Sequence, residues 1–208
     1  LYSSAASDVY KRQYYGLTEA SRSTFMVFND ITGKENSVGK PAKNIQIKIV
    51  NEMNDPKKNG EIFIKGENVI EKYWKNEEMD HNIQNGWIKT SDMGYFDEDG
   101  YLYLTGRVDD MINVGGEKVF PNQIESVVKR LDGIDEAVVI GVSHDTFGEV
   151  AKLFVKKSQN SKIKESDIME HCIKNLERYK VPVSIKFIED FPQTEYGKIK
   201  RYALKDYK

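Results

Sequence analysis

Residues 13–23, which read QYYGLTEASRS, place an aromatic pair, a glycine, a threonine and a glutamate in one short run. An aromatic face can stack on another ring, and glycine lets the backbone approach a partner closely. A hydroxyl donates a hydrogen bond, and a carboxylate is a hard oxygen ligand. A plain structural interpretation is also open: a turn leading into a helix, with Thr18 as the N-cap and Glu19 favoured by the helix dipole.

Three later stretches also carry polar groups that could bind a ligand. They are WIKTSD at 87–92, TGRVDDMINVGGEKVFP at 105–121 and PQTEYGKIKR at 192–201. Taken singly, they are typical of a strand with an Asx turn, a hairpin bent at Gly115-Gly116 and a basic surface loop. No single stretch therefore predicts a function by itself.

The composition excludes several classes of protein. The 208 residues are 39% hydrophobic and 31% charged, which is sufficient for one medium domain or two small ones. A net charge of −2 with interspersed signs gives no basic face for nucleic acid. The single cysteine, Cys172, allows no internal disulfide and is expected in a helix core, and the three histidines lack metal-ligand spacing.

No apolar run reaches the ~18 residues that a membrane-spanning helix requires. We therefore expect no integral membrane segment and a cytoplasmic location, with peripheral contact to a membrane left open. Residues 1–13 are small, polar and aperiodic, and are expected to be a non-native leader.

The sequence predicts an α+β fold in two parts. Between residues 38 and 106, alternating NIQIKIV, GEIFIKG, and the pair GWIKTSDMGYF and GYLYLTG around a DEDG turn predict a small antiparallel sheet or partial barrel. After residue 110, short apolar strands alternate with two amphipathic helices. The first helix begins at Pro121 and exits at Gly133; the second carries Asp167 and Glu170 at capping-box spacing and stops by Pro182.

Taken together and in this order, the four stretches resemble the motifs of the adenylate-forming superfamily, which includes acyl-CoA synthetases, luciferases and peptide-synthetase adenylation domains. Residues 15–19 match its Y-G-x-T-E motif, and 90–92 match T-G-D with serine in place of glycine. Residues 106–125 and 192–198 match its longest and its last motif. The resemblance implies that residues 14–108 are the C-terminal part of a large domain and 109–208 the whole small, mobile domain.

Members of this family activate a carboxylic acid with ATP to an acyl adenylate and pass the acyl group to a thiol. The resemblance implies that Tyr15 stacks on the adenine and that Gly16 lets the backbone approach the nucleotide. It implies that Asp92 accepts the ribose hydroxyls and that Arg107 contacts ribose or phosphate.

The resemblance assigns the catalytic groups in the same way. Thr18 would donate to a phosphate oxygen, and Glu19 would hold the magnesium that bridges the phosphates. Lys198 corresponds to the mobile lysine that bridges carboxylate and phosphate oxygens, an electrostatic role. Asp109 matches the hinge about which the small domain turns. Gly116 matches the glycine at the CoA thiol path, where a β-carbon would narrow the tunnel.

Three functions stay open at this point. The first is part of an AMP-forming acyl-CoA synthetase for a fatty or related carboxylic acid, using ATP, magnesium and CoA. The second is an adenylation enzyme that loads a carrier protein, and the third is a non-catalytic nucleotide-binding or interaction module. Because the family's phosphate loop and acyl pocket lie upstream of Y-G-x-T-E, we expect the chain alone not to adenylate a substrate without the N-terminal part of its large domain.

Overall fold

The computed structural model describes residues 12–27, 33–205 and 207. The chain forms two compact units, Leu1–Val108 and Asp109–Lys208. Of the leader expected at residues 1–13, residues 12 and 13 lie in the first strand, and residues 1–11 lie outside the described residues. None of the described helices is long and apolar enough to cross a membrane.

The first unit consists of antiparallel strands. They are β1 (Arg12–Tyr15), β2 (Thr24–Val27), β3 (Lys40–Pro41), β4 (Ile45–Val50), β5 (Gly60–Gly66), β6 (Ile83–Gln84), β7 (Trp87–Phe96) and β8 (Leu102–Arg107), with a 3-10 segment at Glu77–Asn82. One sheet has the order β1-β2-β3; the other has the order β4-β5-β7-β6, with β8 also paired to β7. The predicted antiparallel strands are therefore confirmed.

Both sheets of this unit contribute to one core. Tyr15 comes from the first sheet, and the inward residues Ile49, Ile62 and Ile88 come from the second. The period-two alternation arises because one face of each strand is buried while the other carries exposed side chains such as Lys48. This core fixes β1, β7 and β8, the strands that carry Tyr15, Asp92 and Arg107 of the candidate site.

The second unit is a mixed sheet covered on both faces. Its elements are β9 (Ile112–Val114), β10 (Glu117–Val119), α1 (Pro121–Val128), β11 (Ile134–His144), β12 (Gly148–Lys157), α2 (Glu165–Asn175) and β13 (Ser184–Phe187), with 3-10 segments at Arg178–Lys180 and Arg201–Leu204. The order is β10-β9-β12-β11, and β13 joins β12 in parallel. The α+β class is confirmed.

The two faces of this sheet bury different partners. Ile124 of α1 and the helix residues Ile168 and Cys172 of α2 pack on one face. Phe191 and Leu204, from the C-terminal segment, pack on the other. Burial on both sides explains why the central strands read as continuous apolar runs rather than as alternating ones.

Three helix details differ from the sequence prediction. Helix α1 ends at Val128, and Gly133 lies beyond it at φ +89. Helix α2 begins two residues before Asp167, whose carboxylate accepts the backbone N–H of Lys164 at 2.9 Å. The predicted Asp167–Glu170 capping box is therefore wrong, because Lys164 is the extended residue at the N-cap position. The helix ends at Asn175, well before Pro182, since Leu176 adopts an extended backbone.

Candidate active site

Residues 16–23 form a compact turn between β1 and β2. Leu17 and Ala20 exchange backbone hydrogen bonds of 3.0 and 3.3 Å, and the Ser23 N–H donates to the Tyr15 carbonyl at 2.8 Å. A β-carbon on Gly16 would come within 2.5 Å of the Arg22 nitrogen. Glycine is thus required by the turn itself. The turn prediction is correct, but no helix follows Thr18, so its alternative role as an N-cap is wrong.

Tyr15, Asp92 and Arg107 form a connected group. The register of β7 and β8 places Asp92 opposite Arg107. Arg107 Nη1 donates to Asp92 Oδ1 at 2.7 Å, and the Tyr15 hydroxyl donates to Asp92 Oδ2 at 2.6 Å. Tyr15 and Asp92 are each only 8% exposed. Asp92 Oδ1 therefore accepts a charge-assisted hydrogen bond from Arg107, and Asp92 Oδ2 accepts a short hydrogen bond from Tyr15. Each oxygen retains a further lone pair for a ligand.

The backbone around Asp92 is held in an unusual conformation. The Asp92 N–H donates to Thr90 Oγ1 at 3.0 Å, and the Thr90 hydroxyl donates to the Ile62 carbonyl at 2.8 Å. Ser91 has φ +58, in the left-handed region that glycine occupies without strain. The Ser91 carbonyl accepts the Val108 N–H at 2.8 Å. That bond anchors the chain directly before Asp109.

Glu19 has a partner that the sequence did not indicate. The Tyr73 hydroxyl donates to Glu19 Oε1 at 3.3 Å, and the Glu19 carbonyl accepts the Ile70 N–H at 3.0 Å. Thr18, between Gly16 and Glu19, is exposed. Tyr73 lies 54 residues from Glu19 in sequence, and no local pattern predicts such a contact. The turn therefore presents one carboxylate that is oriented by a tyrosine.

Burial and charge set the titration of three groups. Burial, and then the Asp92 carboxylate, raise the pKa of Tyr15 well above its ordinary value. Burial and the neighbouring Glu19 also raise the pKa of Tyr73. In the second unit, burial raises the pKa of Cys172 to about 11, so this core thiol stays protonated at neutral pH.

Lys198 lies on a tight hairpin of the second unit. The Thr194 N–H donates to the Lys198 carbonyl at 2.8 Å, and the Lys198 N–H donates to Thr194 Oγ1 at 3.1 Å. Gly197 sits at φ +78 in the turn, and Gln193 bridges to Ile199. The Lys198 side chain is exposed. Its backbone is thus well defined while its charged end projects into solvent.

The Gly115-Gly116 hairpin borders a cavity in the second unit. Both glycines have positive φ, +60 and +97, as a tight hairpin between β9 and β10 requires. The predicted bend is confirmed. The adjoining cavity has a volume of about 650 Å³. Its walls are Val114, Gly115, Phe147, Val150, Ala151, Arg178, Tyr179, Val181 and Val183. It combines aromatic rings, aliphatic surface and a guanidinium group.

The structure thus places the predicted residues in two groups. Gly16, Thr18 and Glu19 share one turn of the first unit, and Tyr15, the last residue of β1, joins Asp92 and Arg107 beside it. Gly116 and Lys198 belong to the second unit, whose first residue is Asp109. Among the described residues, no three histidine, cysteine or acidic side chains form a metal cage. A magnesium ion held chiefly by phosphates needs only one or two carboxylates, which Glu19 satisfies.

Two family models match the chain. The model described as "AMP-binding enzyme" matches residues 5–74, and the one described as "AMP-binding enzyme C-terminal domain" matches residues 123–198. The chain is 39% identical to the 2-succinylbenzoate–CoA ligase of Enterococcus faecalis over 196 residues, which is 92% of this chain and 40% of that protein. It is 35% identical to the long-chain-fatty-acid–CoA ligase of Salmonella typhimurium over 201 residues, which is 95% of this chain and 36% of that protein.

A solved structure extends the likeness to the fold. The o-succinylbenzoate CoA synthetase of Bacillus subtilis, in complex with its acyl-adenylate intermediate, superposes with a TM-score of 0.88 at 31% identity, covering 96% of this chain and 42% of that one. Its complex with ATP and magnesium gives 0.85 at 32% identity, covering 94% and 41%. The chain spans about 40% of the length of its curated relatives. On its motifs, its fold and both family models, the chain belongs to the adenylate-forming superfamily of AMP-binding enzymes, of which it carries a C-terminal portion.

Proposed function

We propose that this chain is the C-terminal part of an ATP-dependent, AMP-forming acid–thiol ligase. In the first half-reaction a carboxylate attacks the α-phosphorus of ATP, forming acyl-AMP and releasing pyrophosphate. In the second, the thiol of CoA attacks the acyl carbon and AMP leaves. The observation that carries the proposal is the buried Asp92 carboxylate, held by Tyr15 and Arg107 beside the Gly16–Glu19 turn.

The first unit would bind the nucleotide. Asp92 would accept the two ribose hydroxyls on its remaining lone pairs, since both of its oxygens are already oriented by donors. The Tyr15 ring would stack on adenine while its hydroxyl stays on Asp92. The Arg107 side chain is 45% exposed, so its guanidinium is accessible to ribose or phosphate oxygens. Thr18 would donate to a phosphate oxygen.

Glu19 is the residue that would hold magnesium. Its carboxylate is a hard oxygen ligand, and Tyr73 fixes one of its two oxygens at 3.3 Å, leaving the other available. The ion would supply charge neutralisation on the phosphates. Tyr73 would act through Glu19, by limiting the rotation of that carboxylate.

Lys198 would act in the first half-reaction only. Its exposed ammonium, carried on a hydrogen-bonded hairpin, can offset the negative charge that builds on the oxygens during attack. No proton transfer is required of it. We propose that Asp109 is the hinge that presents Lys198 in one state and Gly116 in the other.

The cavity beside Gly115-Gly116 supports CoA as the acceptor. Phe147 is 50% exposed and Tyr179 is 36% exposed, which suits stacking against an adenine ring. Arg178 adds a cation suited to phosphates. A β-carbon placed on Gly116 would meet no atom within 4 Å, so the space that a thiol path needs beside this residue is open.

The test is a chimera in which residues 12–208 replace the matching C-terminal segment of the Bacillus subtilis relative. Acyl-AMP formation and thioester formation from supplied acyl-AMP are measured separately. We expect the chimera to perform both, Lys198→Ala to lose at least a hundredfold in the first with less than a threefold change in the second, and the exposed-site control Lys57→Ala to match the parent. A chimera that folds and binds no nucleotide would overturn the proposal. The 208-residue chain alone is expected to show no pyrophosphate exchange above background.

The alternative functions are distinguished by the acyl acceptor and by whether the complete enzyme turns over. A parent enzyme that acylates a carrier protein and ignores CoA would favour the carrier-loading function. Acyl-AMP binding without turnover in the complete enzyme would favour the non-catalytic module. The relatives named above act on 2-succinylbenzoate and on long-chain fatty acids, so both acids are to be tested on the complete enzyme. The fatty-acid substrate and the cytoplasmic location stay predictions.

A further inference from the structure

A buried ion pair in the second unit joins elements far apart in sequence. Glu125 on α1 is 7% exposed. Arg201 Nη2 donates to its Oε2 at 3.0 Å, and Nη1 donates to its Oε1 at 2.5 Å. The Glu125 Oε1 also accepts the Val139 N–H at 2.7 Å, and Arg201 Nη1 donates to the Val139 carbonyl at 2.9 Å. The ion pair is bidentate, and both of its side chains also form hydrogen bonds with the backbone of Val139 in β11.

Arg201 stands at the base of the Lys198 hairpin. The last backbone bond of that hairpin runs from the Lys200 N–H to the Pro192 carbonyl at 2.8 Å, and Arg201 follows at once. On the other side of the base, Phe191 is buried at 8% exposure. The hairpin is therefore fixed at both ends, by an apolar anchor before it and by the ion pair after it.

A third contact reaches the residue after the proposed hinge. Arg201 Nε lies 3.7 Å from Asp110 Oδ2. Asp110 and Arg201 also line a small cavity of about 180 Å³ together with Asp109 and Glu149. One guanidinium thus faces α1 with its fork and the hinge segment with its remaining nitrogen.

Arg201 stays positively charged although it is partly buried. Burial alone would lower its pKa, but the hydrogen bonds and charge of Glu125, together with the Asp110 carboxylate, raise it. The cation is therefore permanent at every working pH. The carboxylates that raise its pKa belong to Glu125 on α1, to Asp110 in the segment after the proposed hinge, and to Glu136 on β11.

We propose that Arg201 is a positioning residue for Lys198: paired with Glu125, it fixes the base of the lysine hairpin on the core of the small domain and ties it to the segment that follows the hinge. When that segment moves, the lysine hairpin then moves with it as one rigid body. The proposal rests on the adenylation role proposed for Lys198. It assigns to Arg201 no contact with any substrate.

The test uses the chimera described above and three variants. Arg201→Met removes the anchor but leaves Glu125 buried and charged. The double variant Arg201→Met with Glu125→Gln removes both charges, so no unpaired charge remains in the core. Arg201→Lys keeps the charge but loses the two-pronged geometry. Arg130→Met, at an exposed arginine of the same unit, is the matched control.

We expect the double variant to slow acyl-AMP formation at least tenfold in kcat, with less than a threefold change in the KM for ATP. Thioester formation from supplied acyl-AMP should change less than threefold. Arg201→Lys should recover part of the loss, and Arg130→Met should match the parent. Hydrogen exchange on the same proteins should become faster at the amides of 194–200 and remain unchanged in α2.

Parallel losses in both half-reactions, or unchanged exchange at 194–200, would overturn the positioning role and leave the ion pair as a stabilising contact only. An unaffected first half-reaction in the double variant would do the same. Failure of the proposed function is distinguished separately, because the unaltered chimera would then fold and bind no nucleotide, or Lys198→Ala would leave acyl-AMP formation intact.

Discussion

The hydrogen bond between Tyr15 and Asp92 can be tested without any substrate. Tyr15→Phe removes only the hydroxyl that donates to Asp92 Oδ2 at 2.6 Å. Both residues are only 8% exposed, so water cannot easily replace the lost donor. A hydrogen bond to a charged group contributes about 1.5–3 kcal/mol, and we expect the unfolding free energy of the first unit to fall by that amount.

The assay is urea unfolding of the 208-residue chain followed by tryptophan fluorescence. Both tryptophans, Trp74 and Trp87, lie in the first unit, so the signal reports that unit alone. With an m-value of about 2 kcal/mol/M, the midpoint should fall by roughly 0.75–1.5 M. Tyr14→Phe is the matched control, because Tyr14 is 60% exposed and its change should stay within about 0.5 kcal/mol.

The charge on Asp92 provides a second check. In an Asp92→Asn background the acceptor is neutral, and removing the Tyr15 hydroxyl should then cost only about 0.5–1.5 kcal/mol. Equal losses in both backgrounds, or a Tyr15→Phe loss no larger than that of Tyr14→Phe, would refute the assignment of a charge-assisted bond at this position.

Four further outcomes are expected. Because the pKa of Tyr15 is raised in the folded state, the unfolded chain loses this proton first as pH rises above about 10. Above that pH, the unfolding free energy of the wild type should fall by about 1.4 kcal/mol per pH unit more than that of Tyr15→Phe. Gly16→Ala should destabilise the first unit by about 1–3 kcal/mol, measured by the same urea assay, because its β-carbon meets backbone. Ser91→Gly should raise the urea midpoint slightly. Glycine relieves the strain of a left-handed φ, worth about 1–2 kcal/mol, and this gain exceeds the entropy cost of glycine in the unfolded chain. A lower midpoint would contradict this expectation. Gly116→Leu in the chimera should retain acyl-AMP formation and lose thioester formation at least tenfold, and equal losses in both steps would count against a thiol path at this position.

The strands were predictable because their signal is local. Ile45, Ile47 and Ile49 alternate in a single strand, and the acidic turn at 97–100 lies between two strands that pair with each other. Such patterns report burial of one face, which each strand carries in its own sequence. The same holds for the paired glycines at 115 and 116, whose positive φ values the hairpin demands.

The helix ends were less predictable. Helix α1 stops five residues before Gly133, and α2 starts at Glu165 with Asp167 as its third residue rather than its cap. Helix termini depend on which backbone groups the surrounding turns can satisfy, and several polar residues compete for the same positions. The apolar faces were correct because Ile124 and Cys172 are set by the core.

The site motifs were visible in sequence, but the contacts that orient them were not. Tyr73 meets Glu19 across 54 residues, and Tyr15 meets Asp92 across 77. Such pairs arise from strand register and turn geometry, so only the folded chain brings them together. The Glu125–Arg201 pair, 76 residues apart, belongs to the same class.

The most direct test of the account is acyl-AMP formation by the chimera with and without Lys198. The account predicts rapid formation in the parent, a loss of at least a hundredfold in Lys198→Ala, and near-normal conversion of supplied acyl-AMP to acyl-CoA by that same variant. If Lys198→Ala forms acyl-AMP as fast as the parent, the assignment of this lysine, and with it the proposed ligase mechanism, is contradicted.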